Sequence, residues 1–322
     1  MASPRFIVSG LAPLVAAVVV VAGLVGCTTN PVTGRSHLSA FDESWEIQLG
    51  MEASPEFVRQ NGGEVPDPQL VNYVRQIGLR LARQSERPDL PWEIHLVNTP
   101  VINAFALPGG KVFMTRGLLS KMTNEAQLAG VLGHEVAHVT AQHVNERVSQ
   151  ALGVQVLAAG IGVAGAATDE DWLSILGAGT QVAGTGYLLK FGRDQESEAD
   201  ELGVRYMANL GYNPWGQVQV MKILAAESGG GAPPEFLSTH PLPQTRIDRL
   251  SRLISQKYPS ARGNTENQYG YFAERFRERA LDRLKKLPPP PPPSQAQIDA
   301  INGAARVAHA GHCSTCAGGH GH

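Results

Sequence analysis

The sequence predicts a mostly helical chain that carries one small β-sheet. Apolar residues recur at helical spacing through several long segments, and three short runs rich in strand-forming residues lie between residues 92 and 115. With 322 residues, 43% of them hydrophobic, the chain can bury a sizeable core in one large or two small domains. The 27 basic and 29 acidic residues nearly balance, so no nucleic-acid-binding surface is expected.

The N-terminus has the features of an export signal. Residues 1–26 carry one positive charge, Arg5, and an apolar run that ends in small residues before Cys27. This pattern resembles the lipobox of bacterial lipoproteins, in which the cysteine is lipidated, and Thr28 after it indicates the outer membrane. We therefore expect a signal peptide over 1–26 and lipidation at Cys27. The alternative is an uncleaved transmembrane helix.

The first half of the chain alternates helices with the strand-like runs. Residues 27–41 are polar and turn-rich and are predicted to be a tether. Helices are predicted over 42–60 and 67–86, the second with Asp67 as N-cap and Pro68 in its first position. The turn Pro108-Gly109-Gly110 predicts a hairpin between the second and third of the predicted strands, which are 92–97, 101–106 and 111–115.

A helix predicted over 123–149 contains the pattern H-E-x-x-H. His134 and His138 are four residues apart, so they project from one face and can bind a single Zn²⁺. Glu135 lies about 100° round the helix, where it can take a proton from water. His143 lies about 140° round from His138, so we predict a structural role for it. Catalytic zinc usually takes three protein ligands, so one must come from elsewhere.

The best source of a third ligand is a helix predicted over 194–210, which begins with several acidic residues. Glu196 and Asp200 are four apart, so one can bind zinc while the other accepts a hydrogen bond from a ligating imidazole. Residue chemistry alone leaves Glu196, Glu198 and Asp200 open as ligands. A solvated acidic first turn is the alternative.

The remaining segments are less specific. Residues 151–189 form two apolar, small-residue segments, which we interpret as buried or lid helices, with membrane contact as the alternative. Further helices are predicted over 215–227, 246–257 and 271–286. The predicted boundaries are a domain over 42–257, a helical extension over 258–287, a polyproline spacer over 288–293 and a disordered tail over 294–322.

The tail carries an unusual cluster of cysteine and histidine. Thiolate and imidazole groups there could bind an accessory Zn²⁺ or Cu⁺. The alternative is a low-complexity tail whose C-x-x-C is oxidised. The candidate residues are His312, Cys313, Cys316 and His320.

Four motifs together resemble a known family. H-E-x-x-H followed by E-x-x-x-D is similar to the CAAX-prenyl-protease-type zinc metallopeptidases, particularly their soluble HtpX-like and BepA-like bacterial lipoprotein branch. The run N-A-F-A-L-P-G-G from Asn103 and the run T-H-P-L-P-Q-T-R-I from Thr239 extend the likeness. The resemblance covers roughly residues 42–257.

The resemblance implies a site and a fold. It implies one catalytic Zn²⁺ held by His134, His138 and Glu196, with Glu135 as general base and Asp200 supporting a ligand. It also implies an α+β, mostly helical fold of the gluzincin type. The edge strand of its small sheet faces the active-site cleft and pairs with an extended substrate through Asn103, Ala104, Phe105 and Ala106.

Two residues that follow the helix predicted over 194–210, His240 and Arg246, each have more than one possible role. A lone histidine in a proline-flanked loop is usually a surface or packing residue, but in BepA-like relatives the matching histidine can cap the zinc. We hypothesise that His240 is such an inhibitory cap. Arg246 is expected to hold this loop or a substrate carboxylate, or else to be a plain surface arginine.

These observations predict a lipid-anchored zinc endopeptidase on the periplasmic face of the bacterial outer membrane. Its expected substrates are misfolded or unassembled cell-envelope proteins, hydrolysed by metal-activated water. The alternative is a non-proteolytic periplasmic chaperone or assembly factor that retains the metallopeptidase fold.

Overall fold

A computed structural model gives the structure of a large part of the chain. Among the described residues, no helix combines the length and the apolar content needed to cross a membrane. The segments 1–25 and 151–189 and the Cys/His tail, on which the signal-peptide, lid-helix and accessory-metal predictions rest, lie outside the described residues. Those described are 26–34, 36–39, 42–147, 149, 191–227, 234–242, 244–262, 268–293 and 298.

Helices dominate the described part, as the sequence predicted. The longer ones are α1 (Glu43–Gln60), α2 (Pro68–Ala82), α3 (Glu125–Thr140), α4 (Arg193–Asn209), α5 (Trp215–Glu227) and α6 (Gln244–Lys257). Shorter helical pieces are Pro108–Gly110, Arg116–Leu119, Phe236–Thr239, Pro259–Arg262, Ala273–Phe276, Arg277–Leu281 and Asp282–Leu284. The strands are β1 (Gly26–Thr29), β2 (Ser36–Ser39), β3 (Glu93–Val97), β4 (Ala104–Leu107) and β5 (Lys111–Thr115).

Two of the predicted helix starts follow from their capping residues. The Asp67 side chain accepts hydrogen bonds from the backbone N–H groups of Gln69 and Leu70, and Pro68 fills the first position of α2. Asn124 caps α3 in the same way, through the N–H of Gln127. Both caps satisfy backbone donors that a helix leaves unpaired at its start.

The small sheet has the order β3-β5-β4, with β3 parallel and β4 antiparallel to β5. The β4–β5 turn is the predicted Pro-Gly-Gly, and both of its glycines have positive φ. On one face of the sheet, the rings of His95, Phe113 and Phe105 lie directly opposite one another across the three strands. Phe57 of α1 covers them. The mostly helical fold with a small sheet is therefore confirmed.

Helix α3 is the centre of the molecule. Every residue from Glu125 to Thr140 is buried, and the helix packs against α2, α4, α5 and the sheet. The main apolar core runs through these same elements. A side chain on any face of α3 is therefore shielded from water.

The helix predicted over 123–149 is interrupted, because α3 ends at Thr140 and Gln142 has a φ of 59°, and the chain is helical again at residues 143–147 and 149. Tertiary contacts replace the helical hydrogen bonds there. Arg87 donates to the Val139 carbonyl at 3.1 Å and to the buried Glu46 carboxylate at 2.8 Å, and Gln142 also donates to Glu46. The break changes the direction in which His143 points.

The predicted helix over 271–286 is present from Ala273 to Leu284, with a π-helical middle at Arg277–Leu281. The Tyr271 carbonyl accepts a hydrogen bond from the N–H of Ala126, Arg275 pairs with Glu125, and Arg283 donates to Asp67 at 2.8 Å. This extension thus fastens over the N-terminal ends of α2 and α3.

Candidate metal centre

The two helices that carry the predicted ligands cross at a pair of glycines. A Cβ at Gly203 of α4 would lie 2.9 Å from the backbone nitrogen of His134, and one at Gly133 would lie 3.1 Å from the Gly203 carbonyl oxygen. No side chain fits between the backbones at this crossing. The close approach brings the first turn of α4 against the histidines of α3.

Four buried side chains converge beside this crossing: His134, His138, Glu196 and His240. One ligand atom from each lies within 4.8 Å of the others. Nε2 of His138 is 3.1 Å from Nε2 of His134, and Glu196 Oε1 is 3.4 Å from Nε2 of His138. Nδ1 of His240 is 3.3 Å from Nε2 of His134 and 2.8 Å from Glu196 Oε1.

The spacing and chemistry of this cluster fit a zinc ion. Tetrahedral zinc with the usual bonds to nitrogen and oxygen holds its ligand atoms about 3.4 Å apart, close to the separations seen here. The donor set of imidazoles and a carboxylate also suits zinc. Three of the four residues are those that the resemblance implied as ligands, and the fourth is the hypothesised cap.

Glu135 lies next to the cluster without joining it. Its Oε1 is buried, has no hydrogen-bond partner and lies 3.6 Å from Nε2 of His240. Burial raises the pKa of this carboxyl group. This oxygen therefore lies on the side of the cluster that His240 covers.

Asp200 supports His134 from behind. Its Oδ1 lies 3.2 Å from Nδ1 of His134 and accepts a hydrogen bond from Gln217 at 2.9 Å. Arg246 donates to both Asp200 oxygens, at 2.6 and 2.7 Å, and also contacts Glu196. The contact between Asp200 Oδ1 and Nδ1 of His134 favours the tautomer with hydrogen on Nδ1, which leaves Nε2 free for a metal. Arg246 is therefore a buried member of the site.

The electrostatics of the cluster favour a cation. Burial opposes protonation of His134, but Asp200 and Glu196 outweigh it and raise the pKa of the imidazole to about 9. Burial alone would raise the pKa of Glu196, yet His240 and Arg246 hold it well below its ordinary value. The same balance, dominated by Arg246, lowers the pKa of Asp200. Ionised carboxylates in a dry site attract positive charge.

The structure separates the three acidic residues that residue chemistry left open. Glu196 lies among the possible ligands, and Asp200 contacts the far nitrogen of His134. Glu198 points elsewhere, toward His143, with its Oε2 3.4 Å from Nε2 of that imidazole. His143 in turn lies 3.0 Å from the far nitrogen of His138. Each α3 histidine thus has its own supporting group.

Two aromatic residues that the sequence analysis missed cover the cluster. The ring of Phe191 stacks on His138 at 3.8 Å, and the ring of Phe236 stacks on His240 at 4.4 Å. We call residues 234–242 the capping loop. Its backbone is fixed on both sides, because Phe236 donates to the Ile102 carbonyl and the Thr239 carbonyl accepts from Phe191. Neither phenylalanine belongs to a metal-binding motif, so only their apolar character could have suggested them.

Strand β4 is an edge of the sheet beside this loop. The N–H of Thr115 donates to the Asn103 carbonyl, so the backbone groups of Asn103 and Phe105 point toward β5. By the alternation of an antiparallel ladder, those of Ala104 and Ala106 point away from the sheet. The strand starts three residues later than predicted, because the N–H of Asn103 bonds the Thr115 hydroxyl instead of a backbone carbonyl.

Residues 68–254 match the sequence profile described as Peptidase family M48. The chain belongs to this family. The match contains α3, α4, the capping loop and Arg246, so it includes every residue of the metal cluster. The family resemblance inferred from the motifs is confirmed.

Curated relatives of this M48 chain carry protease names. One is the beta-barrel assembly-enhancing protease of Escherichia coli K12, 31% identical over 256 residues that cover 75% of this chain and 50% of that protein. Another is the mitochondrial metalloendopeptidase OMA1 of Schizosaccharomyces pombe, 31% identical over 230 residues, 70% and 66% of the two chains. The bovine mitochondrial metalloendopeptidase OMA1 is 36% identical over 248 residues, which cover 70% of this chain and 46% of that protein. The chain spans about half the length of most of these relatives.

Proposed function

We propose that this chain is a zinc-dependent endopeptidase that hydrolyses peptide bonds of misfolded or unassembled cell-envelope proteins. The observation that carries the proposal is a buried cluster of imidazole and carboxylate ligands with an unpartnered carboxylate, Glu135, beside it. Membership of a peptidase family supports it. The names of the bacterial relatives support an envelope substrate.

His134, His138 and Glu196 would hold the ion. When bound, zinc supplies a Lewis acid that polarises the scissile carbonyl group and makes water more acidic. Glu135 takes a proton from the attacking water through its free Oε1 and later gives it to the leaving amine. Asp200 and Arg246 keep His134 oriented throughout, because both are buried and held to each other by two hydrogen bonds.

The substrate would bind as an added strand. Ala104 and Ala106 are buried in this structure, at 0% and 7% exposure, so an extended peptide would pair with their outward backbone groups only after the segment that covers this edge moves away. Pairing through the main chain depends little on the substrate's side chains, which suits a protease that acts on unfolded segments. Asn103 and Phe105 face the rest of the sheet and hold the strand in place.

A direct test compares the full-length chain with Glu135→Gln on an unfolded protein substrate. The variant keeps the shape of the side chain but cannot accept the proton, so cleavage should fall by about 100-fold or more, while zinc content stays at one per chain. Glu64→Gln changes a partly exposed carboxylate at the far side of the sheet and should leave both unchanged. Equal cleavage in both pairs, wild type against Glu135→Gln and His240→Ala against the double variant His240→Ala/Glu135→Gln, would refute the mechanism.

We further propose that His240 is an inhibitory cap. Four protein ligands are typical of structural zinc, whereas a catalytic ion keeps a position for water. Here His240 is 1% exposed and occupies the fourth corner of the cluster, so it must leave before water can bind. His240→Ala should therefore cleave faster than wild type. His95→Ala, in the sheet, is the matched control, and unchanged or lower cleavage by His240→Ala would count against the cap.

A second candidate is a non-proteolytic chaperone that retains the fold, and the closed fourth position favours it. This candidate predicts that His240→Ala also fails to cleave while it still binds zinc. Such a protein should suppress aggregation of an unfolded client equally well with and without Glu135→Gln. Cleavage by His240→Ala that depends on Glu135 would exclude the chaperone as the sole activity.

We also propose that the chain is anchored by a lipid at Cys27 on the periplasmic face of the outer membrane. The pattern of residues before Cys27 supports it, as do the bacterial relatives named for beta-barrel assembly. In fractionated cells, the wild-type chain should sediment with the outer membrane and incorporate labelled palmitate. Cys27→Ala should lose the label, and retained labelling would contradict the proposal.

A further inference from the structure

The turn that follows Cys27 is docked against the metal centre. Asn30 is 7% exposed and its side-chain N–H₂ group donates to two acceptors, the Ala141 carbonyl and Glu198 Oε1, both at 3.2 Å. Ala141 is the C-cap residue that follows the last helical residue of α3. The contacts cross more than a hundred residues of sequence, so they are not part of the local turn.

These contacts continue to a metal ligand. Asn30 bonds Glu198, Oε2 of Glu198 lies 3.4 Å from Nε2 of His143, and Nδ1 of His143 lies 3.0 Å from Nδ1 of His138. The proton positions along this chain follow from the chemistry. If Nε2 of His138 binds the metal, its Nδ1 carries hydrogen and donates to His143, whose Nε2 then donates to the carboxylate.

We infer that Asn30 is a positioning residue of the metal centre, acting on His138 through Glu198 and His143. This inference rests on the proposed zinc site. By holding one oxygen of Glu198 and the end of α3, Asn30 fixes the carboxylate that orients His143. Groups that orient a ligating imidazole typically change metal affinity by about 10- to 100-fold when they are removed.

Asn30 also caps its own turn, and the test must separate that role. Its Oδ1 accepts from the N–H groups of Val32 and Thr33, at 2.8 and 3.1 Å. Asn30→Asp keeps an oxygen for the turn but places a carboxylate oxygen against Glu198 where a donor stood. Asn30→Ala removes both roles. Equal damage by the two changes therefore assigns the effect to the lost donor.

The experiment measures zinc dissociation constants of full-length protein in detergent by competition with a chromophoric chelator. We expect zinc binding to weaken by more than twofold and up to about tenfold in both Asn30→Asp and Asn30→Ala, with altered visible bands after cobalt substitution. Asp42→Ala removes a comparable cap at the exposed start of α1, where the Asp42 side chain accepts hydrogen bonds from Ser44 and Trp45. It should bind zinc within twofold of wild type and show the wild-type cobalt spectrum.

Two further measurements distinguish the inference from misfolding of the Asn30 variants and from an effect on zinc that does not pass through His143. Glu198→Ala breaks the same chain without touching the turn, and it must weaken zinc binding to a similar extent. In the double variant Asn30→Asp/His143→Gln, the loss should be no larger than in His143→Gln alone. Zinc affinity within twofold of wild type in the Asn30 or Glu198 variants, or additive losses in the double variant, would overturn the inference. Neither readout depends on whether the chain cleaves peptides.

Discussion

The two histidines of α3 are supported in opposite ways. Behind His134 stands a charged group, Asp200 with Arg246, with hydrogen bonds of 2.6 and 2.7 Å and almost no exposure. The group next to the far nitrogen of His138 is another imidazole, His143, which contacts the 20% exposed carboxylate of Glu198 at 3.4 Å. One ligand is thus fixed by charge in a dry interior. The other is held by a longer chain of hydrogen bonds that reaches the N-terminal turn.

This difference between the supports of His134 and His138 indicates which part of the site is rigid. Residues of α4, α5 and α6 build the His134 side, and all of them belong to the packed helices. The His138 side is built beyond the break in α3 and from the turn after Cys27. We expect changes on the His134 side to alter mainly the free energy of unfolding, and changes on the His138 side to alter mainly the affinity for the metal.

The largest effect should come from Asp200→Ala. It leaves the buried Arg246 guanidinium without its main partner, which typically costs about 3 to 5 kcal/mol, and it also frees His134 to rotate. Chemical denaturation should show the lost free energy of unfolding, and zinc binding should weaken as well. If unfolding is unchanged, the charged pair does not stabilise the fold and the contrast between the two sides fails.

Removal of the metal should be the next largest effect and should distinguish the two sides. At free zinc a thousandfold above its dissociation constant, bound metal contributes about 4 kcal/mol, so a chelator should lower the melting temperature and zinc should restore it. The Asp200–Arg246 pair persists without metal, because its partners are protein groups. Hydrogen exchange should therefore rise more over residues 138–147 than over 246–254. Equal increases would contradict the comparison.

Gly203→Ala should have an intermediate effect on both sides at once. Its Cβ would meet the His134 backbone at 2.9 Å, so the helices must separate, at a cost of about 1 to 3 kcal/mol. Zinc affinity and melting temperature should both fall. The control is Glu201→Ala on the exposed face of α4, expected to change stability by less than about 0.5 kcal/mol. A wild-type zinc affinity in Gly203→Ala would show that the crossing does not position the ligands.

His143→Gln should have the smallest effect of the four. The glutamine amide carries its donor and its acceptor at one end, so it cannot bridge His138 and Glu198 as the two ring nitrogens of the imidazole do, and zinc should bind about tenfold more weakly with little change in unfolding. Calorimetric titration and denaturation measure the two quantities. A loss of stability as large as that of Asp200→Ala would remove the distinction between the sides.

The sequence predicts the His134 side of the site better than the His138 side. H-E-x-x-H and the four-residue spacing of Glu196 and Asp200 depend on helix geometry. That geometry is set by neighbouring residues, so these positions can be predicted from the sequence. The choice of Glu196 over Glu198 needed the family resemblance, because three acidic residues share one turn and a half. The end of α3 could not be read from its sequence, since Arg87 and Glu46, which replace its hydrogen bonds, come from distant elements.

Other parts of the site depend on contacts between distant segments, which leave no pattern in the sequence. Phe191 and Phe236 cover the cluster only because their backbones are tied to Thr239 and Ile102. Asn30 looked like an ordinary turn residue of a tether. Its second role is visible only once the ends of α3 and α4 lie beside it.

The extension that fastens over the start of α3 has a consequence for how the protein matures. Arg275 pairs with Glu125, 150 residues earlier in the chain, and completes an anchor that Tyr73 of α2 begins by donating to the same carboxylate at 2.8 Å. Contacts of such large sequence separation form late in folding. The first turn of the central helix would therefore receive its last fastening when the C-terminal extension folds back over it.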